Sequence, residues 1–326
     1  MAGETINKAK MADKLANDLF GEFLWERVGP ANQNWECVDA AHKKATHPSD
    51  VVFYYDEPYS VTRRYITADL KSYALGSITP FIVNTAAMKL ATSLACAENS
   101  ESFQKKYFHP STTAKVSGML FVYNHDGRAA DHEFPPWLAI DCDAIAIPPG
   151  SKLAVFGPTD IFWLNNVARD IVHMRGKSHL PSKDRCNFYY PNLVRHPNLQ
   201  PSKARAATLE MLTSSWIVLE YQPERGPMSR GYVIYYRSKG EKPQEFVFLL
   251  DYIQRFQLLD EDYEVTVKLI DQDPHAKANW GKAIDEYIDA QEGGDDLKSL
   301  LGRIKYEEAN NLQIRFSEIT IGMEDA

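Results

Sequence analysis

Two acidic residues and a lysine are spaced so that they could act together. Asp50 opens an apolar run, and a second apolar run leads into Asp69-Leu70-Lys71. Both runs are rich in β-branched and aromatic residues, and turn formers separate them, which predicts a β-hairpin. Along the second strand, Asp69 and Lys71 should project from one face and Leu70 from the other. The pattern therefore predicts that two carboxylates and an ammonium group converge at one end of the hairpin.

Such a group favours chemistry at a divalent cation. Two carboxylates beside one point repel each other unless a cation lies between them, and Mg²⁺ prefers oxygen ligands of this kind. A bound Mg²⁺ can polarise a phosphodiester oxygen and supply a hydroxide-like nucleophile. Lys71 could orient the water or stabilise charge on the phosphorane. The alternative is that Asp50 caps a strand, Asp69 ends one and Lys71 is solvated.

The elements around the hairpin must position these residues. Hydrophobic spacing predicts, in chain order, a helix over 8–27, a strand over 34–38, the hairpin over 50–71, a helix that Ser77 caps and that runs to about Glu98, and a buried strand over 115–123.

This order of elements resembles the PD-(D/E)xK nuclease superfamily. The resemblance rests on Pro48-Ser49-Asp50 and Asp69-Leu70-Lys71 and covers roughly residues 10–125. It implies an α/β fold with a restriction-endonuclease-like core, in which helices flank a central mixed sheet. Ser49 between proline and acid, and Asp rather than Glu at position 69, are departures that look compatible with the family.

The resemblance also implies roles for individual residues. Asp50, Asp69 and Glu26 on the first helix (or Glu22 in its place) would ligate Mg²⁺, for which Mn²⁺ may substitute. Leu70 would lend its backbone carbonyl to the metal, and Lys71 would assist hydrolysis.

A second region follows the core. We predict a nuclease domain over 1–175, a basic, proline-rich arm or linker over 176–205, and an acidic α+β accessory domain with an antiparallel sheet over 206–326. Strands are predicted at 137–147, 152–156, 215–221, 231–237, 263–270 and 312–321, and helices at 159–174, 244–259, 276–291 and 295–306.

Charge is distributed unevenly along the chain. The net charge of -8 argues against a protein that coats nucleic acid with its whole surface. Residues 169–205, in contrast, hold 8 basic and 2 acidic side chains with aromatic residues among them, a pattern that suits phosphate contact and base stacking. The candidate nucleic-acid-binding residues are Arg175, Lys177, Lys183, Arg185, Tyr189 and Arg195. A solvated loop packed by its aromatics is the alternative.

The cysteines indicate a reducing compartment. Cys37, Cys96, Cys142 and Cys186 form no CxxC pair, so the sequence suggests neither a zinc site nor a disulfide framework. The N-terminus has no apolar signal segment, and no run is long enough to span a bilayer. We therefore expect a cytoplasmic protein without a membrane partner.

These features predict a Mg²⁺-dependent endonuclease that acts on nucleic acid, with DNA favoured over RNA. The resemblance places such nucleases in bacterial anti-phage defence complexes. Residues 211–326 carry 13 basic and 22 acidic side chains, which favours a protein partner or self-association there. The alternatives are an inactive nuclease-fold subunit that serves recognition or assembly, and an RNA-directed nuclease.

Overall fold

The computed structural model describes residues 15–124, 145–191, 204–223, 229–260 and 262–309. These residues divide between Asn165 and Asn166 into two units, each with its own five-stranded sheet. None of the helices in the described ranges is long and apolar enough to cross a membrane.

The first unit contains the predicted hairpin within a mixed sheet. Its elements, in chain order, are strands β1 (Glu26–Val28), β2 (Gln33–Glu36), β3 (Thr46–Ser49), β4 (Val51–Asp56) and β5 (Thr62–Tyr73), helices α1 (Pro80–Ala97) and α2 (Glu101–Tyr107), and strands β6 (Thr113–Asn124) and β7 (Leu153–Phe156). The sheet order is β1-β4-β5-β6-β7, antiparallel from β1 to β5 and parallel from β5 to β7. Parallel neighbours need a crossover, which α1 and α2 provide between β5 and β6. This arrangement confirms the predicted restriction-endonuclease-like core.

One side of the central sheet is covered by α1. Leu120 and Val122 of β6 belong to the same buried cluster as Val83 and Leu90 of α1. Thr79 caps this helix by accepting a hydrogen bond from the Ile82 amide at 3.3 Å, and Pro80 occupies the first turn. The cap therefore lies two residues beyond the predicted Ser77, because a threonine followed by proline is a strong helix start.

The opposite side is covered by the N-terminal segment. Phe20 stacks on Trp25 with ring centroids 4.8 Å apart and also contacts Phe53 of β4 and Phe121 of β6. The predicted helix over 8–27 is wrong at its end, because the described helical part is Leu15–Phe20. Leu24 then adopts a left-handed conformation (φ 63°), which ends helical geometry. The chain continues into β1, which is only 3 residues long and left no alternating pattern to detect.

A small second sheet leads into the hairpin. β2 pairs antiparallel with β3, with Trp35 opposite His47. The chain then bends at Asp50 and enters the central sheet as β4. The bend places Asp50 at the point where the chain passes from one sheet to the other.

The second unit has a mixed sheet of its own. Its elements are α3 (Pro158–Gly176), within which the division between the units falls, β8 (Cys186–Phe188), α4 (Leu209–Thr213), β9 (Trp216–Tyr221), β10 (Arg230–Tyr236), α5 (Gln244–Arg255), β11 (Tyr263–Leu269), α6 (Ala276–Ala290), α7 (Asp295–Leu301) and β12 (Lys305–Glu308). The order is β12-β11-β10-β9-β8. β8, β9 and β10 are antiparallel neighbours, whereas β10, β11 and β12 are parallel.

Two predictions for this unit need correction. The sheet is not antiparallel throughout, because α5 connects β10 to β11, and α6 and α7 connect β11 to β12, as crossovers between parallel strands. The predicted linker over 176–205 includes β8, which pairs with β9 and so belongs to the second sheet.

The remaining differences from the sequence predictions concern the ends of individual elements. Residues 145–147 are not a strand, and the predicted helix over 295–306 ends at Leu301, with β12 following. The predicted strand residues 137–144 and 312–321 lie outside the described residues.

Candidate functional site

Asp50 is fixed by backbone hydrogen bonds on both sides of the bend. Its amide donates to the Ala68 carbonyl at 3.3 Å, and its carbonyl accepts from the Asn32 amide at 2.8 Å. Its carboxylate Oδ2 accepts from the Leu70 amide at 2.8 Å. These contacts direct the Asp50 side chain toward β5, at the point where Asp69 follows Ala68.

The register brings the two acids and the lysine together. Val51 pairs with Ala68, and the Asp50 amide also donates to the Ala68 carbonyl, so Asp50 lies beside the residue that precedes Asp69. Lys71 Nζ lies 2.6 Å from Asp69 Oδ1, with 27% and 25% of the two side chains exposed. Leu70 points the other way and is only 2% exposed. The expected convergence at the end of the hairpin is present.

The electrostatics of this group keep Lys71 charged. Burial acts to lower the pKa of Lys71, but the neighbouring carboxylates of Asp69 and Asp50 outweigh it, and the pKa is raised above its ordinary value. The ammonium group is therefore protonated at neutral pH. It can stabilise negative charge, and while it stays protonated it cannot accept a proton.

The donor set suits a hard divalent cation. Asp50 in the bend before β4 and Asp69 on β5 offer carboxylate oxygens, and such oxygens are what Mg²⁺ and Mn²⁺ bind. In an extended strand the N–H and C=O of one residue point to the same side. Because the Leu70 amide donates to Asp50, the Leu70 carbonyl also points to the Asp50 side of β5. The residues present therefore fit the metal that the sequence predicted.

A buried hydroxyl pair supports the bend from behind. Ser49 Oγ accepts from Trp35 Nε1 at 3.0 Å and lies 2.8 Å from Thr67 Oγ1. Ser49 and Thr67 are 2% and 1% exposed. Ser49 directly precedes Asp50, and Thr67 lies two residues before Asp69, so this network joins the two segments that carry these acids. Sequence reasoning noted Ser49 only as a departure from the family pattern.

Replacing Ser49 by Ala should weaken this support. The buried Trp35 indole N–H and the Thr67 hydroxyl would each lose a partner, which costs about 1–3 kcal/mol in unfolding free energy. Urea denaturation of the full chain measures this, with Ser299→Ala on the exposed face of α7 as a matched control. A change equal to that of the control would contradict a supporting role for Ser49.

Glu26 does not join this group. It lies on β1 rather than on a helix, opposite Tyr54, whose hydroxyl donates to its carboxylate. Tyr54 is four residues along β4 from Asp50, a separation of about 13 Å at ~3.3 Å per residue. The assignment of Glu26 as a metal ligand depended on a helix that the structure replaces with a strand. Glu22 lies in the turn between the helical segment Leu15–Phe20 and β1.

Replacing Glu26 by Gln should accordingly leave nucleic-acid cleavage nearly unchanged. The amide oxygen can still accept from the Tyr54 hydroxyl, so the local fold should persist. Initial cleavage rates of the purified variant and the wild-type chain test this. A loss as large as that of Asp50→Asn would return Glu26 to the site.

The predicted nucleic-acid-binding residues fall in the second unit, except that Arg195 lies outside the described residues. Tyr189 packs against Tyr232 with ring centroids 5.1 Å apart and contributes to the core, so it is not an exposed stacking surface.

Arg185 lines a cleft of about 840 Å³ that also contains Asp184, Glu264 and Glu307. Arg175 and Lys177 lie at the end of α3, and Lys183 precedes β8. The cleft carries both signs of charge, unlike a purely basic groove.

The comparison with protein families addresses the first unit. Residues 1–160 match the family model described as the GAPS4 protein PD-(D/E)XK nuclease domain. This part of the chain belongs to the PD-(D/E)XK nucleases. No curated protein and no solved structure matches the chain. The matched range includes Asp50, Asp69 and Lys71, and it confirms the resemblance that these residues suggested.

Membership of the PD-(D/E)XK nucleases makes nucleic acid the substrate class. These enzymes typically use divalent metals, in agreement with the paired carboxylates at the end of the hairpin. The match ends at residue 160, close to the division between the two units.

Proposed function

We propose that the first unit is a Mg²⁺-dependent endonuclease that cleaves DNA, with Asp50, Asp69, Lys71 and the Leu70 carbonyl as its active site. The observation that carries this proposal is the convergence of two carboxylates and a charged lysine within a PD-(D/E)XK nuclease domain. Asp50, Asp69 and the Leu70 carbonyl would hold the cation, and Mn²⁺ should substitute for it. When bound, the cation would polarise the phosphate and lower the pKa of a water molecule.

The side chains of the site have distinct tasks. The Leu70 amide holds one oxygen of Asp50, which fixes the orientation of that carboxylate. Lys71 lies beside Asp69 as a fixed positive charge, and such a charge stabilises the additional negative charge of the pentavalent phosphorane. The position of Lys71 beside Asp69 assigns it to charge stabilisation and water orientation.

A cleavage assay tests this function. The purified full chain is incubated with plasmid DNA, single-stranded DNA and RNA in Mg²⁺, Mn²⁺, Ca²⁺ or EDTA. We expect nicking or cutting of DNA in Mg²⁺ and Mn²⁺, and none in EDTA. Asp69→Asn, purified in the same way, controls for contaminating nucleases, and Asp285→Asn, an exposed exchange of the same type on α6, should cleave like the wild-type chain. Cleavage of RNA alone would establish the RNA-directed alternative. No cleavage under any condition, alone or with a co-expressed partner, would support the inactive-subunit alternative.

The second unit supports a role in assembly. Its C-terminal part, residues 211–326, carries 22 acidic and 13 basic side chains, a balance that disfavours contact with a nucleic-acid backbone. We propose that it binds a protein partner or a second copy of the chain, as a subunit of a cytoplasmic defence complex in bacteria. Inactivity of the isolated chain that a co-expressed partner relieves would support this organisation.

A further inference from the structure

Four metal-binding side chains converge at the β2–β3 hairpin, away from the acidic site. Cys37, His42 and His47 come from the hairpin, and Cys96 comes from α1. Each offers one ligand atom, and these four atoms all lie within 4.8 Å of one another.

The separations agree with a tetrahedral metal site. The two sulfur atoms are 3.7 Å apart, and His42 Nδ1 lies 3.5 Å from Cys37 Sγ and 3.2 Å from Cys96 Sγ. With Zn–S near 2.3 Å and Zn–N near 2.0–2.1 Å, a tetrahedron places two sulfurs ~3.8 Å apart and a sulfur and a nitrogen ~3.5 Å apart. Thiol–imidazole hydrogen bonds span similar distances, so these separations point to a metal only together with the fourth side chain, His47.

His47 provides an independent indication of a ligand. It is 1% exposed, and its Nε2 atom has no hydrogen-bond partner within the described part of the chain. A buried imidazole nitrogen without a partner is costly unless something else binds it. Its ring lies 4.9 Å from Trp35 and 5.5 Å from His42, which holds it toward the cluster.

The surroundings resemble the outer shell of a metal centre. The Asp39 carboxylate lies 3.4 Å from His42 Nε2, on the side of the ring opposite the sulfur atoms. A carboxylate on the second nitrogen is the usual way to fix the orientation of a metal-bound histidine. Asp39 itself is held by the Ala41 amide at 2.8 Å, which caps the short helical turn that carries His42.

A disulfide explains the cluster less well. Cys37 and Cys96 are free thiols, and their sulfurs at 3.7 Å are well beyond a covalent S–S bond of ~2.05 Å. A disulfide would also leave the convergence of both histidines, and the unpartnered nitrogen of His47, without a cause.

We propose that Cys37, His42, His47 and Cys96 bind one Zn²⁺ ion in a closed structural site. Two thiolates and two imidazoles form the ligand set that zinc prefers, whereas Mg²⁺ prefers oxygen. Four protein ligands leave no open position for substrate or water, so the ion has a structural task. The sequence, which has no CxxC pair, suggested no zinc site, and this proposal departs from that expectation.

The proposed zinc ion connects the hairpin to the nuclease site. It joins β3 to α1 through ligands up to 59 positions apart in sequence. His47 lies on β3, three residues before Asp50, and its neighbour Trp35 donates to Ser49. Fixing this strand holds the bend from which Asp50 projects, so the zinc ion would position a residue of the active site without contacting substrate.

Metal analysis of the purified full chain tests the proposal. We expect about one zinc ion per chain by mass spectrometry of the metal content, and loss of that zinc in Cys96→Ser and in Cys37→Ser. Cys186→Ser is the matched control, because Cys186 is also a buried cysteine outside any disulfide but lies in the second unit. The control should keep its zinc.

A second measurement uses only the wild-type chain, in case the variants fail to fold. Chelated protein reconstituted with Co²⁺ should show the visible absorption of tetrahedral cobalt with thiolate-to-metal charge transfer, and Zn²⁺ should displace it and raise the melting temperature. Absence of zinc and of this cobalt spectrum would overturn the proposal, as would a Cys37–Cys96 disulfide in intact-mass measurements. These readouts do not involve cleavage, so they succeed or fail independently of the nuclease proposal.

Discussion

Replacing Asp69 by Asn is expected to lower DNA cleavage by at least about 10²-fold, in Mg²⁺ and in Mn²⁺ alike. This is the size of effect seen when one preorganised electrostatic contact is removed from an active site. The substitution removes a charged oxygen ligand and also the partner of Lys71 Nζ at 2.6 Å. It keeps the size of the side chain, so packing in β5 should be preserved.

The stability of this variant should change little. A quarter of the Asp69 side chain is exposed, so its ion pair with Lys71 is only partly buried. A partly exposed ion pair typically contributes no more than about 1 kcal/mol. Cleavage kinetics and the melting temperature of Asp69→Asn, measured beside Asp285→Asn, separate the two effects. A large loss of stability with proportionate loss of activity would indicate that Asp69 is a structural residue.

The second large effect is expected in the second unit. Lys268 of β11 and Asp170 of α3 form a buried ion pair, with Nζ 2.7 Å from Oδ2 and side chains 4% and 1% exposed. Tyr235 also donates to Asp170 at 2.8 Å, and burial, with Asp170 beside it, raises the pKa of Tyr235 well above its ordinary value. The carboxylate is thus the common partner of a cation and a hydroxyl.

Replacing Asp170 by Ala should therefore lower the unfolding free energy by about 3–5 kcal/mol, because it leaves a buried ammonium without its partner. Glu307 lies 3.8 Å from Lys268 Nζ but is about half exposed, so it compensates only in part. Adding Lys268→Met to this variant should recover much of the loss, since an apolar pair has no charge to compensate. Chemical denaturation followed by far-ultraviolet circular dichroism measures both. Equal stability of the single and the double variant would contradict a charge-based explanation.

Much of the first unit could be predicted because its signals are local. The hairpin strands are short runs of β-branched and aromatic residues, and alternation along β5 places Asp69 and Lys71 on one face whatever the rest of the chain does. The position of Asp50 near these two residues followed from the pairing of the two hairpin strands. Family resemblance then supplied the chemistry of the three residues.

The wrong predictions concern contacts between residues that are far apart in sequence, which local sequence patterns do not indicate. Glu26 was assigned from a helical period that continues through Leu24, yet tertiary packing of Phe20 and Trp25 ends the helix early. The direction of β11 and β12 depends on how helices return across the sheet. The Cys and His cluster joins residues up to 59 positions apart and has no CxxC pair, so only the fold brings its ligands together.

The central claim is that Asp50 and Asp69 together hold the catalytic cation, and anomalous scattering from crystals soaked in Mn²⁺ tests it most directly. Data collected on both sides of the manganese absorption edge distinguish Mn²⁺ from zinc at the Cys and His cluster. We predict a manganese peak in contact with the Asp50 and Asp69 carboxylates and the Leu70 carbonyl, and its absence in Asp69→Asn crystals. Manganese bound elsewhere in the first unit, with none at these two acids, would contradict the account.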